Sequence, residues 1–330
     1  MLPPEPPHDP RGIRCEMCAN QCQIPPQGRG YCGLRQNENG RLVGGAPIQG
    51  NLKWYFDPLP TNCVADWVCP GGTGAGYPKS ARRPSAEHGY KNLAVFYQAC
   101  SLNCLGCQNW HYREASAETG ANVTPAGLAA RVDTRTACIC YLGGDPSPQF
   151  PHSIATSVLA RRAASKRILR ICWETNGTMH PRWLRRAMAI ALASGGCIKF
   201  DLKAWDEAIH RALTGSSNQW ALANFRLAAE MAGARPVPPA LVASTLVVPG
   251  YVDAAQVAAL AKFIAKLNPD IPYSLLAFSP QFSLHDLPAT SAQHAEEALA
   301  AARAAGLTRV RVGNIHILGE SYDRLNGNAV

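Results

Sequence analysis

The fold of this chain depends on the stretch Cys100-Ser-Leu-Asn-Cys104-Leu-Gly-Cys107, which follows the apolar run Leu93-Ala-Val-Phe-Tyr-Gln-Ala99. The apolar run is typical of a buried strand, so the three thiols stand on a loop at its carboxyl end. In an α/β barrel, that end of the strands carries the chemistry. Three thiolates at C-x3-C-x2-C spacing can hold an iron–sulfur cluster at three corners and leave one iron open. A zinc knuckle and three buried core cysteines are the alternatives.

From residue 91 onward, strand-like and helix-like segments alternate. The strand-like runs are 93–99, 137–143, 168–174, 197–203, 241–248, 272–278 and 309–317. Helix signals lie between them, with starts at Thr124-Pro125, His180, Ser216, Asp253 and the capping box Thr290-Ser-Ala-Gln293. Repeated strand–helix units predict a parallel sheet with right-handed crossovers. The fold class is therefore α/β, a partial (β/α)6-type barrel.

Two glycines and an acid follow the second strand, in Tyr141-Leu-Gly143-Gly144-Asp145-Pro146. Glycines at a strand end let the backbone approach a ligand, and exposed carbonyls beside an acidic side chain can hold an ammonium group. On its own this motif would predict a turn. Its place one unit after the three cysteines favours a binding role.

Polar side chains also end the next two strands. Glu174, Thr175 and Asn176 follow the third strand, and Asp201 and Lys203 follow the fourth. Polar residues at the ends of otherwise apolar strands are expected to face the mouth of the barrel. For Asp201 and Lys203, an ion pair that positions a loop is the alternative to a binding role.

A second group of cysteines lies near the N-terminus, at Cys15, Cys18, Cys22 and Cys32. Four thiolates predict a closed zinc site or a fully ligated iron–sulfur cluster, and the sequence does not choose between them. A module this small has few apolar residues, so metal would be its main stabiliser. The predicted domains are a cysteine-rich extension and linker at 1–90 and the barrel at 91–330.

The remaining cysteines carry weaker signals. Cys63 and Cys69 precede the glycine run Gly71 to Gly76 and fit metal ligands, redox thiols or buried residues. Four others lie within apolar strand-like runs and are interpreted as small core residues: Cys138, Cys140, Cys172 and Cys197. The region 41–90 is predicted to be irregular, and its glycine run to be a flexible linker or lid, because it lacks the lysine and serine of a P-loop.

Composition excludes several classes of protein. Hydrophobic residues make up 47% of the 330 residues, which is enough for a sizeable core. The sequence shows no stretch that would span a bilayer and no secretory signal, which predicts a cytoplasmic protein. The net charge is +9, but the basic residues form no single block and no nucleic-acid motif is evident. The same charge suits docking of an acidic electron carrier.

The C-x3-C-x2-C motif with Gly143-Gly144-Asp145-Pro146 resembles the radical S-adenosylmethionine (SAM) enzymes. Residues 91–330 resemble the activases of glycyl-radical enzymes, the pyruvate formate-lyase-activating type. The closer likeness is to the branch called AmmeMemoRadiSam, through Cys107-Gln-Asn-Trp110, Asp201-Leu-Lys-Ala and Gly30-Tyr-Cys-Gly-Leu-Arg35. One departure is Gly106, where the family usually has an aromatic residue against adenine. Trp110, His111 or Tyr112 would have to replace it.

The resemblance implies a function and its cofactors. A 4Fe–4S cluster on Cys100, Cys104 and Cys107 would reductively cleave SAM to a 5′-deoxyadenosyl radical, which abstracts hydrogen from a protein, peptide or small-molecule substrate. The SAM-binding residues implied are Gly143, Gly144, Asp145, Pro146, Glu174, Asn176, Asp201 and Lys203. The electron donor would be of the flavodoxin or ferredoxin type. The rival is a non-catalytic scaffold that binds zinc or iron–sulfur clusters.

Overall fold

The computed structural model describes residues 3–45, 47–112 and 122–322. The parts of the two predicted domains that fall at 1–2, 46, 113–121 and 323–330 lie outside these residues. Two short hairpins begin the described chain. Strand β1 (Ile13–Arg14) pairs with β2 (Gln23–Ile24), and β3 (Gln36–Glu38) pairs with β4 (Arg41–Val43), both antiparallel.

Within the described residues, nine strands form one main sheet. They are β5 (Gly50–Pro58), β6 (Lys91–Tyr97), β7 (Asn122–Val123), β8 (Thr136–Gly143), β9 (Arg170–Thr175), β10 (Ile198–Asp201), β11 (Leu241–Val247), β12 (Tyr273–Ala277) and β13 (Val310–Gly313). Their order is β13-β12-β11-β10-β9-β8-β6-β5-β7. Strand β6 and strands β8 to β13 are parallel, whereas β5 is antiparallel to both its neighbours. This mostly parallel α/β sheet confirms the predicted fold class.

The helices of the described chain lie between these strands. They are α1 (Pro70–Thr73), α2 (Pro125–Ala129), α3 (Phe150–Ala164), α4 (Pro181–Ser194), α5 (Glu207–Thr214), α6 (Gln219–Ala232), α7 (Ala254–Leu267) and α8 (Ala292–Ala304). Several begin and end where the sequence predicts. Thr124 caps α2 by accepting from the Gly127 amide at 3.0 Å, and Gly195 ends α4 at a φ of +79°.

The apolar core lies between the sheet and the helices. Alternate strand residues such as Leu93, Ile139, Ile171 and Trp173 are fully buried in it. The other residues of the same strands face the opposite side of the sheet, because successive side chains alternate. That opposite side is the barrel interior, and its chemistry differs from that of the core.

Two predictions for residues 41–90 are wrong. Residues 50–58 were predicted to be irregular but form β5, which pairs with β6 from Leu52 to Pro58. The glycine run was predicted to be a flexible linker or lid, but it begins with helix α1, in which Gly71 is buried. A Cβ at Gly72 would lie 1.8 Å from the Asp66 carbonyl oxygen, so this glycine is required for close packing. The boundary at residue 91 stays a prediction.

The start of α8 differs by one residue from the predicted capping box. Ser291, not Thr290, is the N-cap and accepts from the His294 amide at 3.1 Å. The Thr290 hydroxyl donates to the Val247 carbonyl and accepts from the Phe278 amide, both at 2.7 Å. Thr290 therefore joins the ends of β11 and β12 instead of capping the helix.

The cysteine-rich N-terminal segment packs against the mouth of the barrel. The Ala19 amide donates to the Thr178 carbonyl at 2.8 Å, and the His180 amide donates to the Met17 carbonyl at 2.9 Å. The Asn20 side chain is buried; it donates to the Ser101 carbonyl at 2.7 Å and accepts from the Ser216 hydroxyl at 3.0 Å. The segment thus contacts the loop that carries the C-x3-C-x2-C motif.

Candidate active site

One cavity of about 220 Å³ at the carboxyl ends of the parallel strands collects nearly all the site residues predicted within the barrel. The predicted residues that line it are Cys100, Cys104, Cys107, Gly143, Gly144, Asp145, Glu174, Asn176, Asp201 and Lys203. Pro146 is buried and begins a short 3₁₀ turn next to the cavity lining. The residues come from four successive strands because parallel strand ends meet at one edge.

The three-cysteine loop is fixed by contacts at both of its sides. The Asn103 and Leu105 amides donate to the last carbonyls of α5, those of Thr214 and Leu213, each at 2.9 Å. On the other side, the Tyr112 hydroxyl donates to the Leu102 carbonyl at 2.9 Å. These hydrogen bonds fix the backbone of the loop that carries the three thiols, as a metal-binding loop requires.

Two N–H groups point at the Cys100 sulfur. The Leu102 amide lies 3.3 Å from Cys100 Sγ, and the Asn176 side-chain amide lies 3.5 Å from it. Such N–H···S contacts stabilise a thiolate and tune the potential of a thiolate-bound iron–sulfur cluster. Burial and the nearby Asp145 charge raise the pKa of Cys100, so a metal bound at this thiol would have to displace its proton.

The glycine pair lets two strand ends approach each other. A Cβ on Gly143, whose φ is +109°, would lie 2.7 Å from the Tyr97 amide nitrogen. A Cβ on Gly144 would lie 2.4 Å from the Ala99 carbonyl oxygen. Any larger residue would push the end of β8 away from the start of the three-cysteine loop.

Asp145 holds neighbouring strand ends together. Its Oδ1 accepts from the Thr175 hydroxyl and the Asn176 amide, both at 2.8 Å, and its Oδ2 accepts from the Ser147 amide at 2.6 Å. Burial raises the pKa of Asp145, and these hydrogen bonds oppose that effect. Both carboxylate oxygens are therefore engaged with the chain in addition to facing the cavity.

Asp201 and Lys203 form an ion pair at the end of β10. The second carboxylate oxygen of Asp201, Oδ1, is buried and has no hydrogen-bond partner. Burial alone would lower the pKa of Lys203, but the charges of Asp201, Cys104 and Cys107 raise it above its usual value. A ligand bound in the cavity would thus meet one unsatisfied acceptor, Oδ1 of Asp201, and one ammonium, that of Lys203, which is held close to the cysteines.

Glu174 lies between two cavities. It lines the 220 Å³ cavity and also a second one in the barrel interior. Its Oε2 is 3.1 Å from the Nζ of Lys199, whose side chain is only 2% exposed. Glu174 is therefore already paired with the buried Lys199 cation, on the side that faces away from Cys100, Cys104 and Cys107.

Phe278 is a cavity residue that the sequence did not single out. It is buried at the end of β12, and a Cβ on Gly106 would lie 3.0 Å from its Cε2. Phe278 and Leu284 thus fill the space beside Gly106. Of the three aromatic residues proposed to replace a side chain there, Tyr112 lines the cavity, whereas Trp110 stacks on His111 and Phe282. The position of Phe278 directly after an apolar strand was the available signal.

The model of the radical SAM superfamily matches residues 94–264, which is more than half of this chain. The chain belongs to the radical SAM superfamily. Members of this family use a 4Fe–4S cluster and SAM. The cavity fits both groups, because it combines three thiols, N–H donors to sulfur and an orphaned carboxylate oxygen beside an ammonium.

This radical SAM chain is similar to two curated proteins. It is 23% identical over 93% of its length, and over 83% of the relative, to the uncharacterized protein MJ0808 of Methanocaldococcus jannaschii. It is 34% identical over 41% of its length to the isethionate sulfite-lyase activating enzyme of Desulfovibrio desulfuricans, of which it spans only 40%. Among solved structures, a domain of pyruvate-formate lyase-activating enzyme from Bacteroides vulgatus matches 53% of this chain and 98% of that domain. Its identity is 18% and its TM-score 0.42, too low to support an inference.

The N-terminal cysteines of this radical SAM protein also share a cavity. Cys15, Cys18, Cys22 and Cys32 line one void of about 10 Å³, together with Arg35. Burial raises the pKa of Cys22 to about 12 and also raises that of Cys15. The void lies among four thiols, a donor set that suits one zinc ion or a fully ligated iron–sulfur cluster.

The thiols of each cysteine group in this radical SAM chain line a shared cavity, but they are not arranged at metal-coordinating distances. Across residues 3–45, 47–112 and 122–322, no three His, Cys, Asp or Glu side chains stand at mutual metal-binding distance. The prediction that these cysteines are metal ligands therefore depends on their shared cavities and on the metal-binding chemistry of thiol groups. Separately, no helix in the described part of the chain is both long and apolar enough to cross a bilayer.

Proposed function

We propose that this chain is a radical SAM enzyme of the activating-enzyme type, which reductively cleaves SAM and abstracts hydrogen from a substrate. The observation that carries the proposal is the single cavity lined by the three loop cysteines, the Gly143-Gly144-Asp145 turn and the polar ends of β9 and β10. A scaffold protein has no need to collect these groups at one strand edge. The proposal places the protein in the cytoplasm, where thiols remain reduced.

In this proposal Cys100, Cys104 and Cys107 hold the 4Fe–4S cluster. When bound, the cluster and SAM together supply one-electron cleavage of a carbon–sulfur bond and the hydrogen abstraction that follows. The chain's own residues shape the site. The Leu102 and Asn176 N–H groups stabilise the Cys100 thiolate, and the Lys203 ammonium offsets negative charge near Cys104 and Cys107.

The residues around the cysteines would bind SAM through its polar groups. Gly143 and Gly144 keep the backbone close, so that carbonyl oxygens can accept from the methionine ammonium. The unsatisfied Asp201 oxygen offers an acceptor to a hydroxyl or ammonium, and Lys203 offers a cation to a carboxylate. Asn176 would orient the ribose or the substrate from the carboxyl end of β9, next to β8 and β10. Pro146 starts the turn behind Asp145 and holds the motif in shape.

The N-terminal cysteines are proposed to hold a second metal. Their four thiols suit one zinc ion or a fully ligated iron–sulfur cluster. The metal would support the hydrogen bonds of Asn20 to Ser101 and Ser216, and through them the three-cysteine loop.

The partners proposed are a protein substrate and an acidic electron carrier of the flavodoxin or ferredoxin type. Similarity to an activating enzyme of a lyase supports a protein substrate, since that relative is named for activating another enzyme. The net charge of +9 and exposed basic side chains such as Arg162, Lys166 and Arg167 suit an acidic carrier.

The proposal is tested by anaerobic reconstitution with iron and sulfide, followed by dithionite reduction with SAM and chromatographic detection of 5′-deoxyadenosine. Formation of 5′-deoxyadenosine in proportion to protein supports the proposal. A colourless protein that holds only zinc and does not bind SAM would overturn it in favour of the metal-binding scaffold.

Replacement of Asp145 by Asn should raise the KM for SAM about 10- to 100-fold, the range typical when a positioning group around a metal site is lost. An amide nitrogen would replace one of two oxygens that accept from Thr175, Asn176 and Ser147. The measurement is initial rates of 5′-deoxyadenosine formation. Asp253→Asn is the control, because Asp253 caps α7 outside the cavity and Asn also caps helices well. Equal KM values in both variants would contradict the prediction.

Replacement of Phe278 by Leu should weaken SAM binding about 5- to 100-fold if the ring stacks on adenine, given the usual strength of base–aromatic stacking. Leu keeps most of the buried volume beside Gly106, so the fold should persist. Equilibrium dialysis of SAM against the reconstituted protein measures the effect. Phe282→Leu serves as the control, because Phe282 stacks on Trp110 instead of lining the cavity. Identical SAM affinity in the two variants would refute an adenine contact.

A further inference from the structure

The barrel interior contains a second cavity, of about 510 Å³, which shares Glu174 with the first one. The cysteines that line it are Cys63, Cys69, Cys138, Cys140, Cys172 and Cys197. Cys140 and Cys197 are buried, as the sequence predicts, whereas Cys138 and Cys172 are partly exposed. The interpretation as small core residues therefore does not hold for Cys138 and Cys172, which are accessible to a small molecule in the cavity.

Two of these cysteines, Cys172 and Cys197, stand side by side on neighbouring strands. The parallel register pairs Trp173 of β9 with Ile198 of β10, and the Trp173 amide donates to the Cys197 carbonyl at 3.1 Å. Each cysteine directly precedes one member of this pair, and both side chains line the cavity. Neighbouring strands lie about 4.8 Å apart, within the roughly 4.4–6.8 Å that separates the α-carbons of disulfide-bonded cysteines. A disulfide can therefore join the two residues without movement of the sheet.

The two thiols differ in reactivity. The Cys197 thiol donates a hydrogen bond to the Cys172 sulfur, which lowers the pKa of Cys172 and raises that of Cys197. The positive charges of Lys199 and Arg170 also lower the pKa of Cys172. A partly exposed cysteine that ionises readily, next to a second thiol, is the usual arrangement of a peroxide-reactive cysteine and its resolving partner. Cys172 thus has the character of the nucleophile, and the buried Cys197 that of the resolving thiol.

Cys140 is the competing partner for Cys172, because the register places the two side by side on β8 and β9. The Cys140 sulfur accepts a hydrogen bond from the Lys199 ammonium at 3.0 Å, and the same ammonium pairs with Glu174 at 3.1 Å. Burial raises the pKa of Cys140. Cys140 therefore has a polar partner of its own and remains a thiol, whereas the hydrogen bond between thiols joins Cys172 to Cys197.

We propose that Cys172 and Cys197 form a redox-active dithiol in the barrel interior, which hydrogen peroxide oxidises to a disulfide. The Cys172 thiolate attacks one peroxide oxygen, the O–O bond breaks, and a sulfenic acid forms on Cys172. The departing hydroxide takes up the proton that Cys172 had released and becomes water. The Cys197 thiol then attacks the Cys172 sulfur, the S–O bond breaks, and a second water leaves with the Cys197 proton as the disulfide forms.

The reaction removes two electrons from the dithiol and reduces one peroxide to two waters. A small-molecule thiol reverses it by thiol–disulfide exchange. Neither the iron–sulfur cluster nor SAM takes part, so this inference does not depend on the proposed function. In the cytoplasm, disulfides are mostly transient and belong to catalytic or redox-sensing cysteines, which is the behaviour expected of this pair.

The test uses the full unmodified chain, reduced and then freed of small thiols under anaerobic conditions. The protein is treated with a small excess of hydrogen peroxide and quenched with iodoacetamide in denaturant. Non-reducing digestion with trypsin places Cys172 in peptide 171–182 and Cys197 in peptide 187–199, so mass spectrometry identifies their linkage directly.

Peroxide should remove about two alkylatable thiols per chain from this pair, with the two peptides joined by a disulfide. Dithiothreitol should restore both thiols. A Cys172 that stays alkylatable, or that becomes linked to Cys140 instead of Cys197, would overturn the proposal. This measurement does not depend on the folding of any variant.

Two variants then separate the roles of the thiols. In Cys197→Ser, oxidation of Cys172 should stop at the sulfenic acid, which dimedone traps as an adduct on peptide 171–182. In Cys172→Ser, Cys197 should stay alkylatable, because its own thiol is buried and protonated. Cys138→Ser is the matched control, since Cys138 lines the same cavity and its loss should leave the disulfide intact. Equal oxidation of Cys197 with and without Cys172 would refute the assigned roles and the proposal with them.

Discussion

A Cys104→Ala variant should form 5′-deoxyadenosine no faster than a protein-free assay. Only three thiolates at this loop are available to a cluster with one open iron, and Cys104 stands between the other two in the cavity lining. Removing it leaves two protein ligands, too few to hold the cluster against loss or conversion. The rate is measured by chromatography under reducing conditions, with iron content determined on the same sample.

Asn103→Ala is the matched control for this variant. Asn103 lies on the same loop, and its anchoring hydrogen bond comes from its backbone amide, which alanine retains. We expect it to keep most of the cleavage activity and iron. More than a tenth of the unmodified rate in Cys104→Ala would show that this cysteine is not a required ligand. A circular dichroism spectrum of each variant separates cluster loss from unfolding.

Replacement of Glu87 by Gln should lower the free energy of unfolding by about 3–5 kcal/mol. Glu87 is fully buried and meets Arg170 through two contacts, at 2.9 and 2.5 Å. It also accepts from the Arg82 amide at 2.7 Å. Gln removes the negative charge and one acceptor oxygen, so the buried Arg170 guanidinium keeps only neutral acceptors such as the Ser80 carbonyl. Chemical denaturation followed by fluorescence measures the loss.

Glu207→Gln provides the control for a change of the same chemistry at an exposed pair. Glu207 and Arg211 form an i, i+4 ion pair on the surface of α5, where solvent screens the charges. We expect its unfolding midpoint to match that of the unmodified protein within error. A Glu87→Gln variant as stable as the Glu207→Gln variant would show that the buried pair contributes no net stabilisation to this fold.

The sequence was sufficient to predict the cysteines and most of the polar members of the 220 Å³ cavity because of the geometry of parallel sheets. Cys100, Gly144, Asn176 and Asp201 each follow a recognisable apolar run, and the carboxyl ends of parallel strands meet at one edge. The sequence did not predict that both oxygens of Asp145 would be engaged by Thr175, Asn176 and Ser147. Such contacts depend on how neighbouring strand ends are staggered.

Other features of the fold, such as strand β5 and the side of the sheet that each strand residue faces, were not predicted from the sequence. Strand β5 contains Lys53 and Asp57 among its aromatic residues and was predicted to be irregular, although Leu52, Trp54 and Phe56 alternate with more exposed neighbours. The barrel-facing position of Cys138 and Cys140 was missed because β8 is apolar on both faces. In such strands the sequence does not show which residues face the core and which face the barrel interior. Cys140 and Ile139 are equivalent in the sequence and opposite in the structure.

The buried amide of Asn20 has a consequence for the order in which the protein folds. Its two hydrogen-bond partners lie 81 and 196 positions further along the chain. Contacts over such separations form late, because a long loop must close before they are gained. During synthesis, the N-terminal segment leaves the ribosome long before Ser216 is made, so it must wait undocked while the barrel grows. The first cysteines to be synthesised are therefore among the last to reach their final position.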